Sequence, residues 1–164
     1  MKTMKLELRP MTGGEYEAFL QRNLSRYAQE LLLTKKTDVE QHALAEAQGA
    51  LEEILSKGLD TPLNYLLTAE DESGTPVGEV WCDTTEPETV FINDFYVYPE
   101  HRKRGCADAM LRAVEDIAVG GEFGRVMTHV YHENKVAVAF FTKRGYLPVG
   151  GETDGTLFLE RKLR

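Results

Sequence analysis

The sequence predicts an α+β fold around a mixed sheet, on three observations. Apolar periodicity and turn signals give the element order β-α-α-β-β-β-α-β-α-β, which is that of an α+β protein. One strand–helix–strand crossover occurs in that order, and a crossover joins parallel neighbours, so a sheet otherwise built from hairpins becomes mixed. No internal repeat, low-complexity tract or Pro/Gly/Ser-rich linker divides the 164 residues. That length fits one domain, so residues 1–164 are expected to form a single one.

The elements follow from local signals. Leu6-Glu7-Leu8-Arg9 alternates apolar and polar residues before Pro10, as a short strand does. Thr12-Gly13-Gly14-Glu15 has capping-box spacing and opens a helical pattern to about Leu33. Thr37-Asp38-Val39-Glu40 repeats the signal, and Val39, Ala43, Ala47, Ala50, Leu51, Ile54 and Leu55 then share one helical stripe that Lys57-Gly58 stops. After Pro62, residues 65–69 read as a strand, 71–76 as a turn and 77–82 as the antiparallel partner. A third strand in this run covers 89–98 and ends at Pro99. An amphipathic helix from about Cys106 to Val119, a strand at 125–130, a helix from the N-cap Asn134 to Arg144 with Gly145 as its C′ residue, and a strand at 156–162 complete the chain.

Composition narrows the function. A chain of this size buries a full core, so a disulfide scaffold is not needed, and Cys82 and Cys106 match no zinc or redox spacing. Met1-Lys2-Thr3-Met4-Lys5-Leu6-Glu7 lacks the apolar run of a signal peptide, and no stretch approaches the roughly 20 apolar residues of a membrane span. A cytoplasmic protein with no membrane partner is the expectation. The net charge of −8 argues against bulk attraction to nucleic acid. That charge is unevenly spread. Residues 1–57 sum to −1, residues 58–100 hold ten acids and no Lys or Arg, and residues 101–164 sum to +3. The sign flips at His101-Arg102-Lys103-Arg104-Gly105, which points to a site handling an anion on one side and a cation on the other.

The informative stretch runs from Phe95 to Ala107. A strand ends at Pro99, a basic loop with a glycine follows, and a helix begins at Cys106. Unpaired N–H groups, the positive end of a helix dipole and basic side chains then meet at one point, a place for phosphate groups. Neither a Walker A loop nor a G-x-G-x-x-G fingerprint is present. Arg102-Lys103-Arg104-Gly105-Cys106-Ala107, with Val97 and Pro99 before it, resembles the [QR]-x-x-G-x-[GA] pyrophosphate loop of the GNAT N-acetyltransferases. Asn134, Ala137, Phe140, Phe141, Gly145 and Tyr146 match that family's second signature, N-x-x-A followed by an aromatic and a G-[FY]. The stretches 58–62, 77–81 and 91–95 are also similar to an uncharacterised bacterial subgroup of the family.

The resemblance implies a GNAT-like, mostly antiparallel central sheet flanked by helices and splayed between its fourth and fifth strands. It implies acetyl-CoA as acetyl donor, lying in that splay. The pyrophosphate would sit on the loop from Arg102 through Lys103, Arg104, Gly105 and Cys106 to Ala107, the pantetheine along Phe95, Tyr96 and Val97, and the thioester oxygen on the Val97 N–H. Asn134 would contact the pantetheine arm or the helix start. Phe141, counted with the cofactor-binding residues, takes the place of a tyrosine that in many members protonates the departing thiolate, so Tyr131, Tyr96 and Tyr98 are considered in its stead. A primary amine, expected to be cationic from the acidic 58–100 segment, would attack the thioester directly after losing its proton to a general base. Strand alternation puts Ile92, Asp94, Tyr96 and Tyr98 on one face, and Asp94, Glu79 and His129 are the base candidates. His129 and His132 lack a third ligand for zinc, and no metal is expected; Cys106 has no base placed beside it for nucleophilic work. Trp81 reads as core. The alternatives are a catalytically weakened CoA-binding regulatory or interaction module, and a structural domain without cofactor. Homodimers are common among relatives, so a homodimer stays open.

Overall fold

The computed structural model of the chain describes residues 4–33, 40–151 and 154–164, so the capping signal at Thr37-Asp38-Val39 lies outside the described residues. The elements are β1 (Glu7–Pro10), α1 (Gly13–Leu33), α2 (Glu40–Ile54), a 3₁₀ turn (Gly58–Asp60), β2 (Asn64–Glu70), β3 (Pro76–Asp83), β4 (Thr89–Val97), a second 3₁₀ turn (Pro99–His101), α3 (Cys106–Gly120), β5 (Arg125–Tyr131), α4 (Lys135–Lys143), β6 (Leu147–Pro148) and β7 (Thr156–Lys162). This is the expected order with the two-residue β6 added. The described residues divide into two compact units, one within 10–66 and the other within 4–9 and 67–164.

In the first unit the capping box at α1 forms as its spacing requires. Thr12 N–H donates to Glu15 Oε1 at 2.8 Å and Glu15 N–H donates to Thr12 Oγ1 at 3.2 Å. Ala28 and Leu31 pack with Ala43 and Ala47 of α2, whose small side chains let the two helices approach closely. The apolar stripe expected along α2 is narrower than its sequence, because Ile54 is exposed.

The second unit carries most of the sheet, whose strand order is β1-β2-β3-β4-β5-β7-β6. β3 with β4, β5 with β7 and β6 with β7 are antiparallel, and β4 with β5 is the parallel pair made by the α3 crossover. One face of this sheet and the inner side of α3 form the core, with Val80, Cys82, Ile92, Val126 and Leu159 packed on Met110, Leu111, Val114 and Ala118. The β2–β3 turn is held by Asp71, whose Oδ1 accepts the Ser73 hydroxyl at 2.6 Å and the Ser73 and Thr75 N–H groups at 2.9 and 3.0 Å. Those bonds, the Ser73 hydroxyl first, hold its carboxyl below the usual carboxylate range.

Buried Tyr146 and Glu115 form a polar cluster with the exposed Arg161. Tyr146 donates its hydroxyl to Glu115 Oε2 at 2.9 Å, and the same oxygen accepts from Arg161 at 2.9 Å. Burial first, then the Glu115 charge, pushes the Tyr146 hydroxyl above its ordinary value of 10.0. The folded phenol therefore keeps its proton where the unfolded one loses it, so this stabilisation is complete below pH 10 and is lost as pH rises beyond it. We expect Tyr146→Phe to weaken the protein by about 1–2 kcal/mol at pH 8. We also expect it to flatten the alkaline decline, which one such group makes as steep as about 1.4 kcal/mol per pH unit. Urea unfolding at pH 8, 10 and 11.5 reads both.

Candidate active site

β3 and β4 pair with Gly78 opposite Val97, Glu79 opposite Tyr96, Val80 opposite Phe95 and Trp81 opposite Asp94, but Cys82 lies opposite Ile92. The register thus skips Asn93, which bulges, and its Nδ2 donates to Asp83 Oδ2 at 2.6 Å. A bulge shifts the alternation of a strand by one residue. Plain alternation puts Ile92 with Asp94; the bulge corrects this and sends Ile92 to the core face with Phe95 and Val97. Asp94, Tyr96 and Tyr98 share the opposite face with their cross-strand neighbours Trp81 and Glu79. Both acids are deeply placed there, Glu79 at 3% and Asp94 at 7% exposure. Tyr98 donates its hydroxyl to Glu79 Oε2 at 3.2 Å, and its ring meets the Tyr96 ring edge-on at 6.1 Å. His129 is on β5 on this same face, exposed, with its ring 5.6 Å from Phe91 and stacked on Phe158 at 6.1 Å.

The parallel ladder between β4 and β5 stops at Ile92 opposite Thr128. The Thr128 hydroxyl donates to the Ile92 carbonyl at 3.1 Å and pins that last rung. Beyond it β4 stays paired with β3 to Val97 and β5 with β7 to Tyr131, so the facing edges of the two central strands part. Tyr98 N–H donates to the Val77 carbonyl at 2.9 Å. Successive N–H groups point to alternate edges of a strand, so those of Phe95 and Val97 point into the opening. The Val97 carbonyl, on that same edge, accepts from Arg102 Nε at 2.9 Å. Gly78 permits this packing: a Cβ there would stand 2.5 Å from the Tyr96 carbonyl oxygen.

Past Val97 the chain makes the Pro99–His101 turn and enters the basic loop. Lys103 (φ 61) and Gly105 (φ 85) both take left-handed conformations, which turn successive N–H groups toward one concavity. Gly105 is the N-cap of α3 and makes no side-chain capping bond. Among the described residues no backbone N–H from Lys103 to Asp108 is hydrogen-bonded. A Cβ on Gly105 would meet nothing within 4 Å, so the space before these donors is open. Together with the positive end of a 15-residue helix, these donors give the loop a geometry suited to an anion.

The remaining site residues are placed less directly. Asn134 caps α4, its Oδ1 accepting from Ala137 N–H at 3.2 Å, which is the helix-start role among the two expected. Phe141 is 5% exposed and packs edge-on to Phe95, Phe140 and Tyr146, with centroids 6.2, 5.1 and 5.3 Å away. Cys106 is buried, its Sγ 3.6 Å from Met4 Sδ, and burial pushes its thiol up, away from thiolate chemistry. Among the described residues no group of three or more His, Cys, Asp or Glu is placed to hold a metal ion. Trp81 is buried, as its core reading expects, and lies opposite Asp94, while Tyr98 bonds to Glu79 on the same face. The signal for Tyr98 was its even spacing from Asp94; the partner of Trp81 could only come from the β3–β4 register.

A split central sheet, with a donor-rich loop starting the helix beyond it, defines the acetyltransferase class, and the chain belongs to the acetyltransferase (GNAT) family, whose model matches residues 25–146. The protein is therefore an acetyltransferase that uses acetyl-CoA as its acetyl donor. In sequence it is 27% identical over 147 residues to the uncharacterized N-acetyltransferase YycN of Bacillus subtilis, covering 87% of this chain and 93% of that one. The crystal structure of YycN superposes with a TM-score of 0.81 at 23% identity, over 91% of this chain and 96% of the other. The spermidine N-acetyltransferase of Vibrio cholerae, solved with CoA and spermine, gives a TM-score of 0.69 at 17% identity, with 96% and 95% covered. PaiA N-acetyltransferase of Thermoplasma acidophilum, solved with coenzyme A, gives 0.69 at 15% identity, with 97% and 99% covered. No helix among the described residues is long and apolar enough to cross a membrane.

Proposed function

We propose that the protein acetylates a cationic primary amine in the cytoplasm, by direct attack of the amine on acetyl-CoA bound in the opening between β4 and β5. The observation that carries the acceptor class is the placement of Glu79 and Asp94. Of the ten acids between residues 58 and 100, several are engaged structurally: Glu70 with Arg9, Asp71 with its own turn, Asp83 with Asn93 and Thr85, Glu86 with Arg125 and Glu88 with Arg164. Glu79 and Asp94 are engaged too, Glu79 with the Tyr98 hydroxyl, but they lie buried beside the rings of Trp81, Tyr96 and Tyr98. Carboxylates and ring faces together attract an ammonium group, and the attraction grows where water is excluded.

The chain's residues divide the work as follows. The N–H groups of the loop from Arg104 to Ala107 hold the pyrophosphate, and the edge of β4 at Phe95, Tyr96 and Val97 guides the pantetheine arm. The bound donor supplies an activated acetyl thioester. Val97 N–H, fixed on the open edge, donates to the oxygen on which negative charge grows. Asp94 takes the proton from the ammonium so that the amine can attack, Glu79 being next in line and His129 third. No residue need protonate the leaving thiolate, because a thiol with a pKa near roughly 8.5 is already a fair leaving group. The buried Phe141 also favours a second reading, a CoA-binding regulatory or interaction module with weakened catalysis.

Gly105→Glu tests the cofactor placement. The new side chain enters open space, so the fold bears about 1–2 kcal/mol from the left-handed φ, while its carboxylate occupies that space. Calorimetry is expected to show acetyl-CoA affinity down at least about a hundredfold, a loss of roughly 2.7 kcal/mol. Unchanged affinity in a folded variant contradicts the placement. For the acceptor, release of thiol from acetyl-CoA is followed across a panel of polyamines, amino-acid amides and peptides. Acetyl-CoA binding without release for any amine favours the module.

A further inference from the structure

Arg102 opens the loop whose N–H groups are proposed to hold pyrophosphate, and by charge it reads as one more phosphate ligand. Its guanidinium instead engages β4. Nε donates to the Val97 carbonyl at 2.9 Å, and the group lies 5.1 Å from the centroid of the Tyr96 ring. The peptide joining Val97 to Tyr98 is thereby held from both sides, since the Tyr98 N–H donates to Val77 of β3 at 2.9 Å. Where the β4–β5 ladder has ended, a strand-edge carbonyl has lost its usual partner and needs another. Arg102 supplies it. We propose that Arg102 is a positioning residue that locks the loop to the open edge of β4, fixing the Val97 peptide and the Tyr96 ring, and that it works through an N–H at the ε position and not through its charge.

Bond counting makes this testable. Arginine and glutamine both carry a nitrogen donor four bonds from Cα, so glutamine can stand in for the Nε–H donor without the charge. Lysine has a methylene at that position and its ammonium one bond farther out. The inference rests on the acetyl-CoA placement above, so affinity for acetyl-CoA is measured first on the unaltered protein. Arg102→Ala, Arg102→Lys and Arg102→Gln are then compared by calorimetry at two salt concentrations and by the kcat and KM of thiol release. The alanine and lysine variants are expected to lose about tenfold or more in kcat/KM, the size of one lost charge-assisted bond together with a displaced donor. Arg102→Gln is expected to recover most of that loss, with the salt dependence of acetyl-CoA binding close to that of the unaltered protein. A phosphate ligand gives the reverse order, lysine above glutamine, with a shallower salt dependence in the glutamine variant. That order overturns the assignment while leaving the cofactor site standing, as do three variants that all behave like the unaltered protein. Failure of the unaltered protein to bind acetyl-CoA overturns the cofactor placement and this inference with it.

Discussion

Gly78→Ala is expected to damage both stability and cofactor binding. The added methyl would lie 2.5 Å from the Tyr96 carbonyl oxygen and 2.8 Å from Met110 Sδ. Tyr96 O is backbone and cannot swing aside without moving β4, and the Met110 thioether, fully buried in the core, must repack. Overpacking of this kind costs about 2–3 kcal/mol, which for a chain of this length lowers Tm by roughly 5–10 °C. The residue opposite Gly78 is Val97, so the strand displaced is the one that presents the Phe95 and Val97 N–H groups to the opening. Acetyl-CoA affinity should therefore fall by about tenfold or more even where the variant is fully folded. Gly49→Ala is the control. Gly49 sits in α2, and its Cβ would meet nothing within 4 Å, so that change should stabilise by roughly 0.5–1 kcal/mol. Thermal melts of the two variants, with and without acetyl-CoA, read both effects.

Asp94→Asn is expected to lower kcat by about 10²–10³-fold, the usual contribution of a positioned general base. The loss should be greatest below pH 8, where most of an aliphatic amine carries a proton that must be removed. Toward pH 10 the free-amine fraction rises, and the variant should regain part of the deficit. Glu79→Gln is expected to act differently. Its carboxylate accepts the Tyr98 hydroxyl and faces the same side as Asp94, so its loss should raise KM for the cationic amine more than it lowers kcat. If Glu79→Gln shows the pH-dependent loss of kcat and Asp94→Asn does not, the two roles are exchanged.

The parts of this site that were legible in the sequence are those fixed by near neighbours in the chain. Gly105 marks a left-handed N-cap and Asn134 a cap for α4, just as Thr12 and Glu15 mark a capping box elsewhere in the fold; each geometry is settled within three or four residues. The uncapped helix start beside basic residues could be read for the same reason. What depends on register between distant segments could not. The bulge at Asn93 exists only in relation to β3, and nothing in residues 89–98 announces that Ile92 and Asp94 part company there. The end of the β4–β5 ladder at Ile92 is likewise a property of two strands about 36 residues apart, reached from sequence through family resemblance and not through periodicity. The turn of Arg102 toward Val97 ran against its charge, because a lone carbonyl at a strand edge leaves no mark in the sequence.

The most direct measurement of the central claim is thiol release from acetyl-CoA by the purified protein, with spermidine, a neutral amine of similar length and no acceptor compared side by side. We expect release that rises with the cationic amine well above the other two, and that falls at least about a hundredfold in Asp94→Asn with acetyl-CoA binding retained. Release that is equal for all three, or equal in the unaltered protein and the variant, contradicts it.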